Sequence, residues 1–252
     1  MAVTEAAEQL ALFANEEPDI TSGFSVRQSH RARRLSIKVY PRGRVEVVVP
    51  PRTRPETVQA FVSENTEWIN NARASFAEIH PPEPFLLPNL VELPAIGQQF
   101  RVRYERQSTA RTVRYRSAGN VVVLSGRTGD DQLCVAALKR WLASVAKAEF
   151  GPRLAQLSAE TGDPYKKMHV RGQKTCWGSH SSTGTISINY CLLFLEPEVV
   201  RYLMVHELSH ARHMNHSKRF WARVRKFDPD YKRLDKALSD SWSKVPVWVG
   251  LN

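Results

Sequence analysis

The chain has little cysteine: three in 252 residues, Cys134, Cys176 and Cys191, with no C-x-x-C pair among them. An odd, scattered set excludes a disulfide framework and a cysteine zinc site, and reads as reduced thiols of a cytoplasmic protein. No apolar run approaches the roughly 18 residues that a membrane span needs. Residues 1–20 hold Glu5, Glu8, Glu16, Glu17 and Asp19 but no lysine or arginine. The basic start of a signal peptide is therefore missing, export is not expected, and residues 1–22 read as a disordered acidic tail. Two further absences bear on chemistry. No glutamate follows Glu207, and no methionine follows Met214.

What is present is concentrated in residues 206–216, His-Glu-Leu-Ser-His-Ala-Arg-His-Met-Asn-His. Positions i and i+4 share a helix face, so His206 and His210 can grip one metal ion. Glu207 then stands beside the metal without ligating it, placed to take a proton from an activated water. The upstream run supports a helix. Pro197 suits a first turn, Glu196 and Glu198 complement the positive end of the dipole, and Val199, Val200, Leu203, Met204 and Leu208 recur at helical spacing.

The third ligand is either His213 or His216. An unbroken helix would carry His213 on the metal face and His216 past it. A turn between Met214 and Ser217 would bring His216 back, and Asn215 and Ser217 are both good N-caps for a helix starting at Lys218. The reading favours His216. A thermolysin-type third ligand is excluded because no later glutamate exists. The metzincin pattern matches in spacing, but it expects glycine where His213 stands and a later methionine turn.

Two blocks resemble the YgjP-like metal-dependent hydrolases, relatives of the SprT and WLM-type metallopeptidases. One runs from His206 through His210 to Asn215-His216-Ser217-Lys218-Arg219-Phe220-Trp221. The other is Arg171-Gly172-Gln173-Lys174-Thr175-Cys176-Trp177-Gly178-Ser179, followed by Ile186-Ser187-Ile188-Asn189-Tyr190. The general layout is similar from about residue 24 to about 240. The resemblance implies one Zn2+ per chain on His206, His210 and His216, with Glu207 as general base. It implies an α+β fold, a zincin-like metallopeptidase core with an N-terminal β-hairpin/helix module. After Trp-Gly-Ser the family usually has cysteine. Here it is His180, which would place an extra imidazole near the metal.

The expected activity is that of a zinc metallopeptidase, cleaving peptide bonds of a peptide or protein substrate through a zinc-activated water. Arg171, Lys174, His180, Asn189 and Tyr231 are candidates for transition-state or substrate contacts. Zinc hydrolysis of a non-peptide amide stays open. So does a different class, a nucleic-acid-associated zinc protein with weak or conditional hydrolysis. The net charge of +11 keeps that alternative in view. Arg27 to Arg44 form one basic cluster, Arg101, Arg103, Arg106, Arg111, Arg114 and Arg116 a second, and Lys218 to Lys226 a third. Such stretches suit a nucleic acid or an acidic partner.

Residues 23–95 read as the N-terminal module with a proline-rich linker, and 96–252 as the catalytic domain. Residues 35–40 and 45–49 pattern as a hairpin around Pro41-Arg42-Gly43-Arg44. Thr53 and Glu56 read as a capping box for one helix to about Ala77. Pro81 to Pro94 punctuate a linker or extended crossing. Strands are expected near 99–106, 111–117, 121–125, 167–171 and 185–190. A helix opens at Asp130-Asp131 and is stopped or kinked at Gly151-Pro152 before a second piece to about Thr161. Strand 185–190 is expected to line the metal cleft, with an exposed edge able to take a substrate peptide as an added strand. The last helix is expected near 229–242, with Trp242 and Trp248 packing back on the core and Trp177 and Trp221 as packing anchors at the site.

Overall fold

Val45–Val49, four valines interrupted by Glu46, is too short for a buried helix and forms the central strand of a three-stranded sheet. A computed structural model describes residues 23–30, 32–39, 45–79, 85–173 and 176–249. Strands β1 (Ser25–Gln28), β2 (Ser36–Val39) and β3 (Val45–Val49) lie in the order β1-β3-β2. β2 and β3 pair antiparallel, Ile37 opposite Val47, as the hairpin reading requires; its turn and the acidic tail lie outside the described residues. β1 pairs parallel with β3 and carries one apolar residue, Val26, too little for periodicity to reveal.

The single helix expected from Thr53 to Ala77 is two: α1 (Pro55–Glu64) and α2 (Thr66–Ile79). The break is Asn65, whose side-chain amide donates to the Phe61 carbonyl at 2.8 Å, an alternative to the helical ladder that asparagine offers the backbone. The capping box does not form. Pro55 fixes the first helical position, so Arg54 is the cap, one residue past Thr53, and the Thr53 hydroxyl donates instead to Pro50 O at 2.8 Å. Val47, Val49 and Val58 centre the small core of this unit, with Phe24, Val26, Leu35, Ile37, Phe61 and Val62 around them.

The second compact unit begins at Phe85. Its four-stranded sheet has the order β4-β5-β7-β6, from β4 (Leu90–Leu93), β5 (Gln98–Arg106), β6 (Val113–Ala118) and β7 (Val121–Gly126). β4 falls within the stretch read as a linker. Pro88 and Pro94 lie just outside it, so neither removes a ladder donor. The inward alternates Val91, Leu93, Phe100, Val102, Val113, Val122 and Leu124 are buried.

Helix α3 (Asp131–Thr161) opens on Asp130, whose carboxylate accepts from Leu133 N, and closes on Gly162 in the left-handed region. It runs through Gly151-Pro152 without stopping. Proline costs an interior helix about 3 kcal/mol. Here Trp141, Leu142, Ala146 and Phe150 before it, and Leu154 and Leu157 after it, are all buried in one core, and that burial outweighs the lost bond.

A second three-stranded sheet holds β8 (Lys167–Arg171), β9 (Gly178–His180) and β10 (Thr185–Asn189) in the order β8-β10-β9. β10 is therefore central, parallel to β8 and antiparallel to β9. The expected free edge at 185–190 does not exist, because β9 occupies it; the three-residue β9 was too short to show a pattern. Three helices follow: α4 (Pro197–Ser209), α5 (Lys218–Phe227) and α6 (Tyr231–Asp240). The tail packs back as expected, Trp242 stacking on Trp177 at 3.9 Å and Trp248 meeting Phe194 edge-on at 6.1 Å.

Candidate metal centre

Helix α4 buries Val199, Val200, Leu203, Met204 and Leu208, which fixes its rotation about its own axis and turns His206 and His210 to one face. It ends at Ser209, four or five residues earlier than the sequence suggested. The cause is long-range. Arg212, just past the helix, sends its guanidinium to the Asp163 carboxylate, Nε to Oδ1 at 3.1 Å, and a second N–H to Gly162 O at 2.9 Å. The chain then reaches Ser217, which caps α5 by accepting from Phe220 N.

This turn brings His216 back over the helix. Ligand atoms of His206, His210 and His216 all lie within 4.8 Å of one another, and the Nε2 atoms of His206 and His216 are 3.1 Å apart. His213 contributes a different atom. Its carbonyl accepts from Nδ1 of His210 at 3.0 Å, which leaves Nε2 of His210 bearing the lone pair. Tyr202 donates its hydroxyl hydrogen to Asp235 at 2.7 Å and stands 3.5 Å from His206 Nδ1 as a long-range acceptor. Burial first, and then the two neighbouring imidazoles, lower the His206 pKa to about 3, so this ring is neutral near pH 7. Three nitrogen donors facing one point form a site that fits a borderline-soft divalent cation such as zinc.

Helix α5 supplies an aromatic backing. Phe220 stacks on His210 at 4.6 Å, and Trp221 stacks on His216 at 5.6 Å. Tyr231 also stacks on Trp221, at 5.3 Å. The tyrosine thus joins the site through Trp221.

Glu207 is 4% exposed, and its Oε2 has no hydrogen-bond partner among the described residues. Burial pushes its pKa up to about 8. Its other flank lies against Gly178 of β9, where a Cβ would sit 2.8 Å from Oε1. Glycine is required there because backbone and carboxylate share the space.

The remaining sequence candidates fall in distinct places. His180 lies on β9, and its Nδ1–H donates to Glu207 O at 2.6 Å, capping a carbonyl at the end of α4. Asn189 is fully buried and spent on structure. Its amide donates to Gln173 O and Cys176 O, and its oxygen accepts from Cys191 N, pinning the chain that leads into Trp177. Arg171 is exposed at the end of β8, separated from β9 by β10. Lys174 lies outside the described residues. Asp163, Tyr202 and Asp235 belong to no sequence motif, and Gly178 stands in the Arg171–Ser179 block with no role readable from sequence; each acts through a partner distant in the chain.

The YgjP-like metallopeptidase-domain family matches residues 33–241. The chain belongs to the YgjP-like family. It is accordingly a metal-dependent hydrolase of the metallopeptidase kind, with peptides as its substrate class. No protein of curated function matches it. Two solved structures share a local likeness. The metallopeptidase zymogen abylysin of Pyrococcus abyssi is 28% identical, over 34% of this chain and 89% of that one, with a TM-score of 0.31. The zymogen jannalysin of Methanocaldococcus jannaschii is 17% identical, over 35% and 92%, with a TM-score of 0.32. Among the described residues, no helix of this YgjP-like chain is long and apolar enough to cross a membrane.

Proposed function

We propose that the chain is a zinc metallopeptidase with a zincin-like core. In this reading His206, His210 and His216 hold one zinc and Glu207 is the general base. The observation that carries it is the buried, unpartnered Oε2 of Glu207 beside three converging imidazoles. A structural zinc site has no use for such a carboxylate, whereas a hydrolytic one needs a base at that spot.

His206, His210 and His216 would hold the zinc, which when bound would supply Lewis-acid chemistry for hydrolysis. The chain's own residues do the rest. Glu207 accepts the proton of the attacking water and passes it to the leaving amine. Gly178 holds the carboxylate from behind, and His180 fixes the carbonyl of the same residue.

β9 is the strand fitted to hold substrate. Ser181 N donates to Thr185 O and Asn189 N donates to Trp177 O, so alternation turns the N–H and C=O groups of Gly178 and His180 away from β10. An extended peptide pairing there would lie next to Glu207. His180 in place of the family's usual cysteine, Tyr231 behind Trp221, and the cations Arg171 and Lys174 are the side chains proposed to shape its contacts. The free thiols support a reducing, cytoplasmic setting.

The test is metal removal. The zinc-loaded chain is expected to cleave an unstructured polypeptide, to lose that activity on chelation and to regain it with one zinc per chain. Activity that survives complete chelation would overturn the proposal.

A further inference from the structure

We propose that the outward face of the β4-β5-β7-β6 sheet is a docking surface for the phosphate backbone of a double-stranded nucleic acid. Strand alternation sorts this sheet cleanly. Phe100, Val102, Val113, Val122 and Leu124 point into the core. Arg101 and Arg103 of β5, and Arg114 and Arg116 of β6, are exposed on the other side.

The register fixes their arrangement. Arg103 and Arg116 stand in one row across Val123 of β7, Arg101 stands in the row of Val121, and Arg114 in the row of Ser125. With strands about 4.8 Å apart and alternate residues about 6.7 Å apart, the four make an array roughly 10 Å wide. Two acids share the face. Glu105 pairs with Arg116 at 3.3 Å, both largely exposed, and Glu92 lies on β4, bonded by Gln99. Arg101, Arg103 and Arg114 have no ion pair among the described residues.

Two features select the occupant. All four cations are arginine, whose planar fork grips phosphate oxygens two at a time and stays charged at any working pH. The aromatic residues of the strands, Phe100, Tyr104 and Tyr115, pack toward the core, so the face offers no ring on which an unpaired base could stack. What it offers is charge and a shallow half-buried strip at Val121 and Val123, which suits a duplex backbone read without regard to sequence. This face is separate from the metal centre in both residues and chemistry.

The experiment titrates the full zinc-loaded chain against a short random-sequence duplex, the matching single strand and polyglutamate, across salt concentrations. Duplex binding is expected with a log–log salt slope near −3 to −4, about −0.9 per phosphate contact. Replacing Arg101, Arg103, Arg114 and Arg116 together by Gln should weaken binding at least about tenfold and flatten the slope by about one unit per arginine. Peptide hydrolysis should be unchanged in that variant. The two paired variants, Arg101→Gln/Arg103→Gln and Arg114→Gln/Arg116→Gln, should each show about half the change in slope, which keeps the test valid if the fourfold variant folds poorly. No duplex binding at about 50 mM salt overturns the proposal. So does an unchanged affinity in the variants, equal or tighter binding of the single strand, or a preference for polyglutamate.

Discussion

Glu207→Gln retains one zinc per chain and loses turnover by about 10²- to 10⁴-fold, the contribution of a positioned general base. The amide fits the same pocket but cannot take a proton. The loss should fall on kcat, with zinc content unchanged. Gly178→Ala reaches the same carboxylate from outside. Its Cβ would lie 2.8 Å from Oε1, so the carboxylate or β9 must move, and a displacement near 1 Å costs about 10²-fold in rate.

The metal-free protein should respond in the opposite sense. The folded-state pKa of Glu207, about 8, lies above the ordinary 4.5, so the native state binds the extra proton between these values. Stability is therefore lost as pH rises through that window. Metal-free Glu207→Gln escapes this penalty, and by thermal melting it should be more stable than metal-free wild type at pH 8, with the gap closing toward pH 4.5. A variant with full activity, or one that melts lower than wild type at pH 8, would contradict the assignment of Glu207 as a buried base kept for chemistry at a cost in stability.

The second large effect is expected at Asp163, 44 residues before Glu207 in sequence. Asp163 is fully buried, with Oδ1 bound by Arg212 and Oδ2 by Arg223 at 2.6 Å. Arg212 lies between His210 and His216, and Arg223 lies on the helix that starts just after His216. One carboxylate thus ties down both flanks of the third ligand, and each arginine adds a bond to the end of α3, at Gly162 O and Thr161 O. Removing one partner of a buried ion pair costs about 3–5 kcal/mol. Asp163→Ala should fall toward the lower end, because Arg212 is half exposed and can turn to water. Its zinc affinity should drop about 10- to 100-fold, as when a residue supporting a ligand is removed. Zinc titration of the folded variant below its melting point separates the two effects. Lost stability with wild-type zinc affinity would show that the clamp serves the fold alone.

The metal site was legible where its logic is local. His206, Glu207 and His210 declare themselves because i, i+4 spacing on an apolar-flanked helix suffices to predict their convergence. His216 required a turn, and the sequence placed that turn too late because the turn is enforced by Arg212 and Asp163, 49 residues apart. Nothing in the local pattern around Met214 records that pull. The same holds elsewhere. Pro152 reads as a helix breaker, yet a shared core on both sides carries α3 through it. Thr53 and Glu56 have capping-box spacing, yet Pro55 sets the helix start one residue later. β4 and β9 are four and three residues long, below the length at which alternation is informative, and β9 turned out to be the strand beside Glu207. Asn189 reads from sequence as a candidate transition-state or substrate contact, on account of its polar side chain. Its three hydrogen bonds show that the polarity holds a loop in place.

The most direct measurement is X-ray absorption at the zinc edge of the loaded wild-type chain. Three imidazole nitrogens near 2.0–2.1 Å are expected, with one further light-atom ligand at a similar distance, the signature of a site with an open position. A sulfur near 2.3 Å would bring in Cys176, whose thiol is held protonated by burial and by Glu207. A sulfur or a fourth imidazole would mean a closed structural site, and the claim that this centre is built for hydrolysis would fail.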